Sequence, residues 1–350
     1  MTAPVAAAAL AEGVRASGIE VVHTVPMADG GEGTLDALLA AGGQEHTARV
    51  RGPLHDPVTA RWVSLGGRAY LEAAQANGLA LVAAAGTRSA LAACTCGVGD
   101  LIKAALDAGH RDVAVTVGGS AATDGGAGLL RTLGARITSA DGGEVGCGGG
   151  ALTSVASVSL AGLDPRLRNL ALQVATDVDN PLVGEQGSAA VYAPQKGADG
   201  PTVEFLVAGL RQWAAVLDAA GHPIAHRPGG GAAGGTAAAL MVLGADVVTG
   251  ARLVMDASGL LPLLASVDVV ITGEGSLDAQ SLRGKVVAAV AAAAPCPVYA
   301  VAGRIELSAQ ALADAGISRS LALVDLAPSV RSAMDDAPRW AAHAARLLTS

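Results

Sequence analysis

The stretch that most constrains this chain is Val117-Gly118-Gly119-Ser120-Ala121-Ala122-Thr123-Asp124-Gly125-Gly126-Ala127-Gly128. It follows Asp112-Val113-Ala114-Val115-Thr116, a β-branched run that reads as a buried strand, and it leads into a helix through Leu133. Glycines, hydroxyls and one carboxylate therefore collect where a strand hands over to a helix. Free N–H groups at a helix start attract anions, and glycine lets a phosphate approach the main chain. The plainer reading is a turn that needs positive φ, with Asp124 as a helix cap rather than a magnesium ligand.

The same design recurs. Met27-Ala28-Asp29-Gly30-Gly31-Glu32-Gly33-Thr34 follows an expected strand at Val21 to Val25. Pro228-Gly229-Gly230-Gly231-Ala232-Ala233-Gly234-Gly235-Thr236 precedes an Ala/Leu-rich helix, and Thr272-Gly273-Glu274-Gly275-Ser276-Leu277-Asp278 follows the run Val267 to Ile271. Repeated glycine loops with acids and hydroxyls suggest a site for a phosphorylated ligand and a metal.

Composition narrows the fold. In 350 residues, 51% are hydrophobic but only 2% aromatic, and 47 are glycine, so the core is built from Ala, Val and Leu, as in close-packed α/β layers. A net charge of −8 without clustered Lys or Arg argues against nucleic acid. The longest apolar run, Val286 to Ala302, is interrupted by Pro295 and Pro297 and reads as helix, turn and strand rather than a membrane span. The first residues lack the pattern of a signal peptide, and Cys94, Cys96, Cys147 and Cys296 show neither metal spacing nor a disulfide framework, so a reduced cytoplasm is expected.

Along the chain, a helix is expected from Met1 to Arg15 with Thr2 as its cap, then a helix from Thr34 to Ala41. Short alternating runs at His46–Val50, Val58–Leu65 and Arg68–Leu71 read as an antiparallel ribbon, with a domain boundary near residue 50. The strand Leu172 to Thr176 ends in Asp177-Val178-Asp179-Asn180-Pro181-Leu182, polar side chains where a ligand crevice forms in α/β sheets; an Asx-turn is the alternative. Ala193-Pro194-Gln195-Lys196-Gly197 offers a lysine in a glycine loop, or a solvated surface lysine. Trp213, in a helix from Val203 to Ala220, reads as core.

Several phosphate-handling classes drop out. Gly284-Lys285 is followed by Val286 and lacks the P-loop's preceding glycine, protein-kinase motifs are missing, and no Gly-x-Gly-x-x-Gly follows the first strand. What the chain does resemble is the type 1 glycerate kinase family, which phosphorylates D-glycerate with ATP. The resemblance rests on Pro26 to Thr34, Gly118-Gly119-Ser120 with Asp124 to Gly128, Asp177 with Asn180-Pro181-Leu182, Pro194 to Ala198, the Pro228 to Gly235 loop, and Gly273-Glu274-Gly275 with Asp278, Gln280, Gly284 and Lys285. It implies a flavodoxin/Rossmann-like parallel-sheet domain from residues 1–50 and 245–350, with a second mixed α/β domain, residues 51–244, inserted. Relative to the family pattern, the opening strand with Asp-Ser-Phe-Lys-Gly has no counterpart, Ala122-Thr123 stand for Thr-Asn, and Asp179 is an additional acid.

The resemblance also implies roles. Gly118, Gly119, Ser120, Gly125, Gly126, Gly229, Gly230, Gly231, Gly234 and Gly235 would cradle ATP phosphates; Asp29, Glu32 and Glu274 would hold Mg2+. Asp177, with Asp124 as runner-up, would accept the proton of the glycerate hydroxyl, Lys196 and Lys285 would neutralise phosphate or carboxylate, and Asn180 and Asp278 would meet the substrate. Partners would be D-glycerate and ATP, with neither nucleic acid nor membrane; a homodimer is one assembly the chain could form. Two other readings stand beside this one: a non-catalytic nucleotide- or glycerate-binding relative, and a metal-dependent phosphohydrolase.

Overall fold

The computed structural model describes residues 1–279, 281, 282 and 285–350. Its contacts divide the chain into two compact units, one of Met1–Asp29, Asp36–Gly42 and Thr249–Ser350, the other of Gly30–Leu35 and Gly43–Val248.

The larger unit is built on strands β1 (Gln44–Arg51), β2 (Pro57–Leu65), β3 (Arg68–Glu72), β4 (Asp112–Thr116), β7 (Ala171–Ala175) and β8 (Asp246–Val248), which form one sheet in the order β1-β2-β3-β4-β7-β8. A separate two-stranded piece pairs β5 (Arg136–Thr138) with β6 (Ser157–Ser159). The pairs β1–β2 and β2–β3 are antiparallel, whereas β3–β4, β4–β7 and β7–β8 are parallel. Sequence explains the contrast. Ribbon strand β1 alternates polar and apolar residues and stays largely accessible, while Val113, Ala114 and Val115 of central β4 are all buried, as expected for a strand covered on both faces. β1 pairs with β2 from Gln44 to Arg51, and the long segment of the larger unit begins just before it, at Gly43.

Helices Cys96–Asp107, Ala127–Thr132, Gly200–Ala219 and Ala232–Val242 contribute Leu101, Ile102, Leu129, Leu130, Trp213 and Leu240 to one continuous core. Each such side chain, fully buried, stabilises the fold by roughly 1.5–3 kcal/mol before chain entropy is set against it. Trp213 is enclosed and donates its indole N–H to the Gly125 carbonyl at 2.9 Å.

The smaller unit is a parallel three-stranded sheet, β11-β10-β9, of β9 (Val270–Leu277), β10 (Val298–Ile305) and β11 (Ile317–Ala322). Helices Val286–Ala293 and Ala309–Asp314 make the crossovers. Leu277, Val287, Ala300, Ala302, Leu312 and Ile317 form the core on one side; Val301, Leu323, Ala344 and Leu348 form another with Leu10 and Trp340. The helices Ala3–Arg15 and Ala337–Thr349 meet at Gly13, where a Cβ would lie 2.0 Å from the Ala342 carbonyl oxygen.

Three local expectations are corrected. Val21 to Val25 is not a strand: Val21 is 77% exposed, and Val25 and Met27 pack beside Met255, Leu260 and Val290 instead. β-Branched residues supply propensity, but a strand also needs a neighbouring backbone to satisfy its N–H and C=O groups. Gly273-Glu274-Gly275 is not a loop but the middle of β9, because a Cβ at Gly273 would sit 2.0 Å from the Val301 oxygen of β10; glycine there permits close strand approach. Thr2 does occupy the N-cap position, yet its side chain makes no capping hydrogen bond.

Candidate functional site

In the larger unit, Asp124 is fully buried and its carboxylate accepts four hydrogen bonds, from Thr95 N (2.9 Å), Thr95 Oγ1 (2.9 Å), Gly126 N (3.1 Å) and Gly128 N (3.2 Å). A carboxylate so enclosed organises a turn, and Asp124 is the staple of the glycine loop.

The glycines of that loop divide into two sets. At Gly125 a Cβ would lie 2.3 Å from Trp213, at Gly126 2.2 Å from the Ala239 methyl, at Gly234 1.9 Å from the Ala122 oxygen, and at Gly235 2.6 Å from the Gly125 Cα. Gly125 N donates to the Gly234 carbonyl (2.9 Å), and Gly126 N to Asp124. These four glycines therefore pack loop against loop. Gly231 behaves likewise, donating its N–H to the Asn180 carbonyl at 2.8 Å beneath Pro181, and Gly230 N donates to the Arg227 carbonyl at 3.1 Å. Gly229, at φ 77°, closes the turn next to Thr176.

Gly118 and Gly119 are different. A Cβ at Gly118 would meet the Gly31 Cα at 3.4 Å and the Gly30 carbonyl oxygen at 3.9 Å, and at Gly119, whose φ is 61°, nothing within 4 Å. Immediately after them comes Ser120, whose Oγ accepts a hydrogen bond from Lys196 Nζ at 3.0 Å; the same ammonium donates to the Ala122 carbonyl at 2.6 Å. Lys196 is 3% exposed. Burial pushes its pKa down to about 7, against the opposing charge of Asp124. The solvated-lysine alternative is thereby excluded: this cation has been taken out of water and aimed at the glycine turn. Asn77 completes the surroundings, its Oδ1 accepting from Ala122 N at 3.3 Å while its buried Nδ2 has no partner among the described residues.

Asp177 lies half-buried just beyond β7. Asn180 is tied into the loop, its Nδ2 donating to the Gln186 carbonyl (2.8 Å) and its Oδ1 accepting from Tyr192 (2.6 Å), so its amide fastens the turn. Glu32 is exposed in this unit. The helix Thr34–Ala40 that follows it starts on a carboxylate of its own: buried Glu72 accepts from Thr34 N at 3.1 Å.

In the smaller unit, Glu274 on β9 is flanked by Asp278, Ser281, Lys285 and Asp29. Its carboxyl is pushed up by burial and by the negative charges of Asp278 and Asp29, against the Ser281 hydrogen bond and the Lys285 charge. Oε1 of Glu274 is buried with no hydrogen-bond partner among the described residues. Asp278 Oδ1 accepts from Ser281 N at 3.2 Å, and the Ser281 hydroxyl is shared between Asp278 N (3.1 Å) and the Ser276 carbonyl (3.0 Å). Gln280 and Gly284, both part of the motif, lie outside the described residues.

Sequence reading missed Glu72, Asn77 and Thr95, whose roles depend on partners far along the chain. It also set the cysteines aside. In the structure, the donor atoms of His55, Cys94 and Cys147 all lie within 4.8 Å of one another. A hydrogen bond from Cys94, with the Arg131 cation beside it, holds the Cys147 thiol down at about 5. Only the Cys94-x-Cys96 pair was visible locally; nothing in the spacing announces His55 or Cys147.

Comparison with known proteins bears on the chain as a whole. The family model described as the glycerate kinase family matches residues 1–350. A glycerate kinase of Halalkalibacterium halodurans is 41% identical over 330 residues, covering 92% of this chain and 87% of the relative. A glycerate 2-kinase of Escherichia coli is 44% identical over 290 residues, 81% of this chain and 76% of the relative. A crystal structure from Salmonella typhimurium LT2, described as a glycerate kinase 2, superposes with a TM-score of 0.87 at 36% identity, covering 100% of this chain and 94% of that one. With motifs, fold and sequence in agreement from end to end, the chain belongs to the glycerate kinase family.

Proposed function

We propose that this protein transfers the γ-phosphoryl group of ATP to a hydroxyl of D-glycerate, acting in the cytoplasm. The observation that carries the reading is Lys196. A lysine 3% exposed, held by Ser120 Oγ and a backbone carbonyl, is a fixed donor at an open glycine turn, cationic whenever it is protonated. Phosphoryl transfer asks for that arrangement, because it relies on positioning and on neutralising charge that spreads over phosphate oxygens.

Each residue has a task. Gly118 and Gly119 let an anion approach the main chain, and Ser120 and Lys196 supply donors for it. Asp177, at the carboxyl end of β7, takes the proton from the attacking hydroxyl. In the smaller unit, Glu274, Asp278 and Asp29 offer a donor set made only of oxygens, and the unpartnered buried Oε1 of Glu274 is the kind of atom a hard cation satisfies. Magnesium is a hard cation that such a donor set would suit. Lys285 balances the excess of carboxylates.

The test is ADP release from MgATP, with and without D-glycerate, by the full chain. Glycerate-dependent release that falls in Asp177→Asn and Lys196→Met supports the reading. Release independent of glycerate would favour a phosphohydrolase, and binding without release a non-catalytic relative. We place transfer on the 2-hydroxyl, as the name of the E. coli relative suggests; consumption of the product by enolase alone, without a mutase, checks the position.

A further inference from the structure

We infer that His55, Cys94 and Cys147, with Cys96 as fourth donor, form a site for a thiophilic divalent cation of the zinc type, separate from the glycerate chemistry. The ligand atoms of His55, Cys94 and Cys147 lie within 4.8 Å of one another, and Cys96 Sγ is 4.0 Å from Cys147 Sγ. A tetrahedral zinc with bonds of about 2.3 Å to sulfur has sulfurs about 3.8 Å apart, so the Cys96–Cys147 spacing already fits. Cys94 and Cys96 stand at 2.7 Å and would part by about 1 Å around the ion. The donor set, three sulfurs and an imidazole, is that of a closed structural zinc site and a poor match for magnesium or calcium.

The surroundings hold these donors in place. His55 sits at φ 71°, a left-handed conformation that costs a non-glycine residue about 1 kcal/mol or more and is kept only where its surroundings demand it. Its loop is tied to the Cys94 segment, since Cys94 N donates to the Pro53 carbonyl at 2.9 Å. Thr95, between the two cysteines, is locked by Asp124, and Arg131 Nη1 donates to Cys147 Sγ at 3.1 Å. At Gly128 a Cβ would lie 2.3 Å from the Cys94 sulfur, so glycine is what gives that thiol its place. An ion here would join three segments distant in sequence and brace the turn that Asp124 staples. Each thiol releases its proton to solvent as it ligates.

The full chain, purified without chelators, incubated with Zn2+ and freed of excess by gel filtration, should retain about one zinc per chain by mass spectrometry of the metal. Loading with Co2+ instead should give a thiolate-to-metal charge-transfer band. Cys147→Ser and His55→Ala, checked by circular dichroism for an intact fold, should lose the ion and the band, while Cys296→Ser keeps both. Zinc below background in the parent chain overturns the proposal, as does undiminished zinc in the folded His55→Ala protein. A Cys94–Cys96 disulfide found by non-reducing peptide mapping of metal-free protein would overturn it too, assigning the cluster to redox chemistry. None of these readouts involves kinase activity.

Discussion

Two pairs of glycines in the larger unit, Gly118-Gly119 and Gly125-Gly126, are separated by the five residues Ser120 to Asp124 in one motif, yet the structure uses them in opposite ways. The second pair is walled in by Trp213, Ala239 and the Gly234-Gly235 turn, and its N–H groups are taken by Gly234 O and Asp124. The first pair faces Gly31 and open space, with the buried Lys196 next to it. Glycine richness thus has two causes here. One is close packing of protein against protein; the other is room for something else.

The largest effect that would sharpen this contrast is expected at Gly234. Its φ of 72° and the 1.9 Å approach of an added Cβ to the Ala122 oxygen leave Gly234→Ala no space, so it should lose about 3 kcal/mol or more and fail to accumulate as soluble protein. A thermal melt near that of the parent would break the comparison. Asp124→Asn comes next. It puts an amide NH2 among N–H donors and should cost about 2–4 kcal/mol by denaturant unfolding, while the protein that remains folded keeps turnover within a small factor. A selective loss of turnover without loss of stability would return Asp124 to the catalytic list.

Lys196→Met should lower turnover by about 100- to 1,000-fold and yet raise stability at neutral and acid pH. The sign follows from linkage. Burial holds the Lys196 pKa down at about 7 in the folded protein against the ordinary lysine value of 10.5 in the unfolded chain, so between those values the unfolded chain binds more protons and the parent gains stability as pH rises. The advantage of Lys196→Met is therefore fully present below pH 7 and shrinks toward 10.5. An advantage that does not change with pH would mean that Lys196 stays charged throughout. The smallest effect is expected at Gly119→Ala: with nothing within 4 Å, only its φ of 61° matters, about 1 kcal/mol in stability. Its KM for ATP should rise more than its melting temperature falls; the reverse would make this glycine a packing residue as well.

Much of the fold was legible without coordinates. Val113-Ala114-Val115 and the core of β7 announce buried strands, and the alternating runs between His46 and Leu71 announce a ribbon, because burial on one face or two leaves a direct pattern in local sequence. Val21 to Val25 misled for the same reason that it attracted notice: propensity is local, whereas a ladder partner is not. Lys196 and Glu274 could be singled out from their motifs, but their burial could not.

By itself, then, the sequence determined the α/β class, the order of the glycine motifs and the family, all carried by short contiguous runs. Tertiary structure alone decided which glycines are walled in, that Asp124 staples a turn, that Glu72 starts a helix 38 residues before it, and that His55 stands beside Cys94 and Cys147. Those facts depend on atoms brought together from separate segments, and the free energy of a buried charge or a filled Cβ position belongs to the neighbours that the fold supplies.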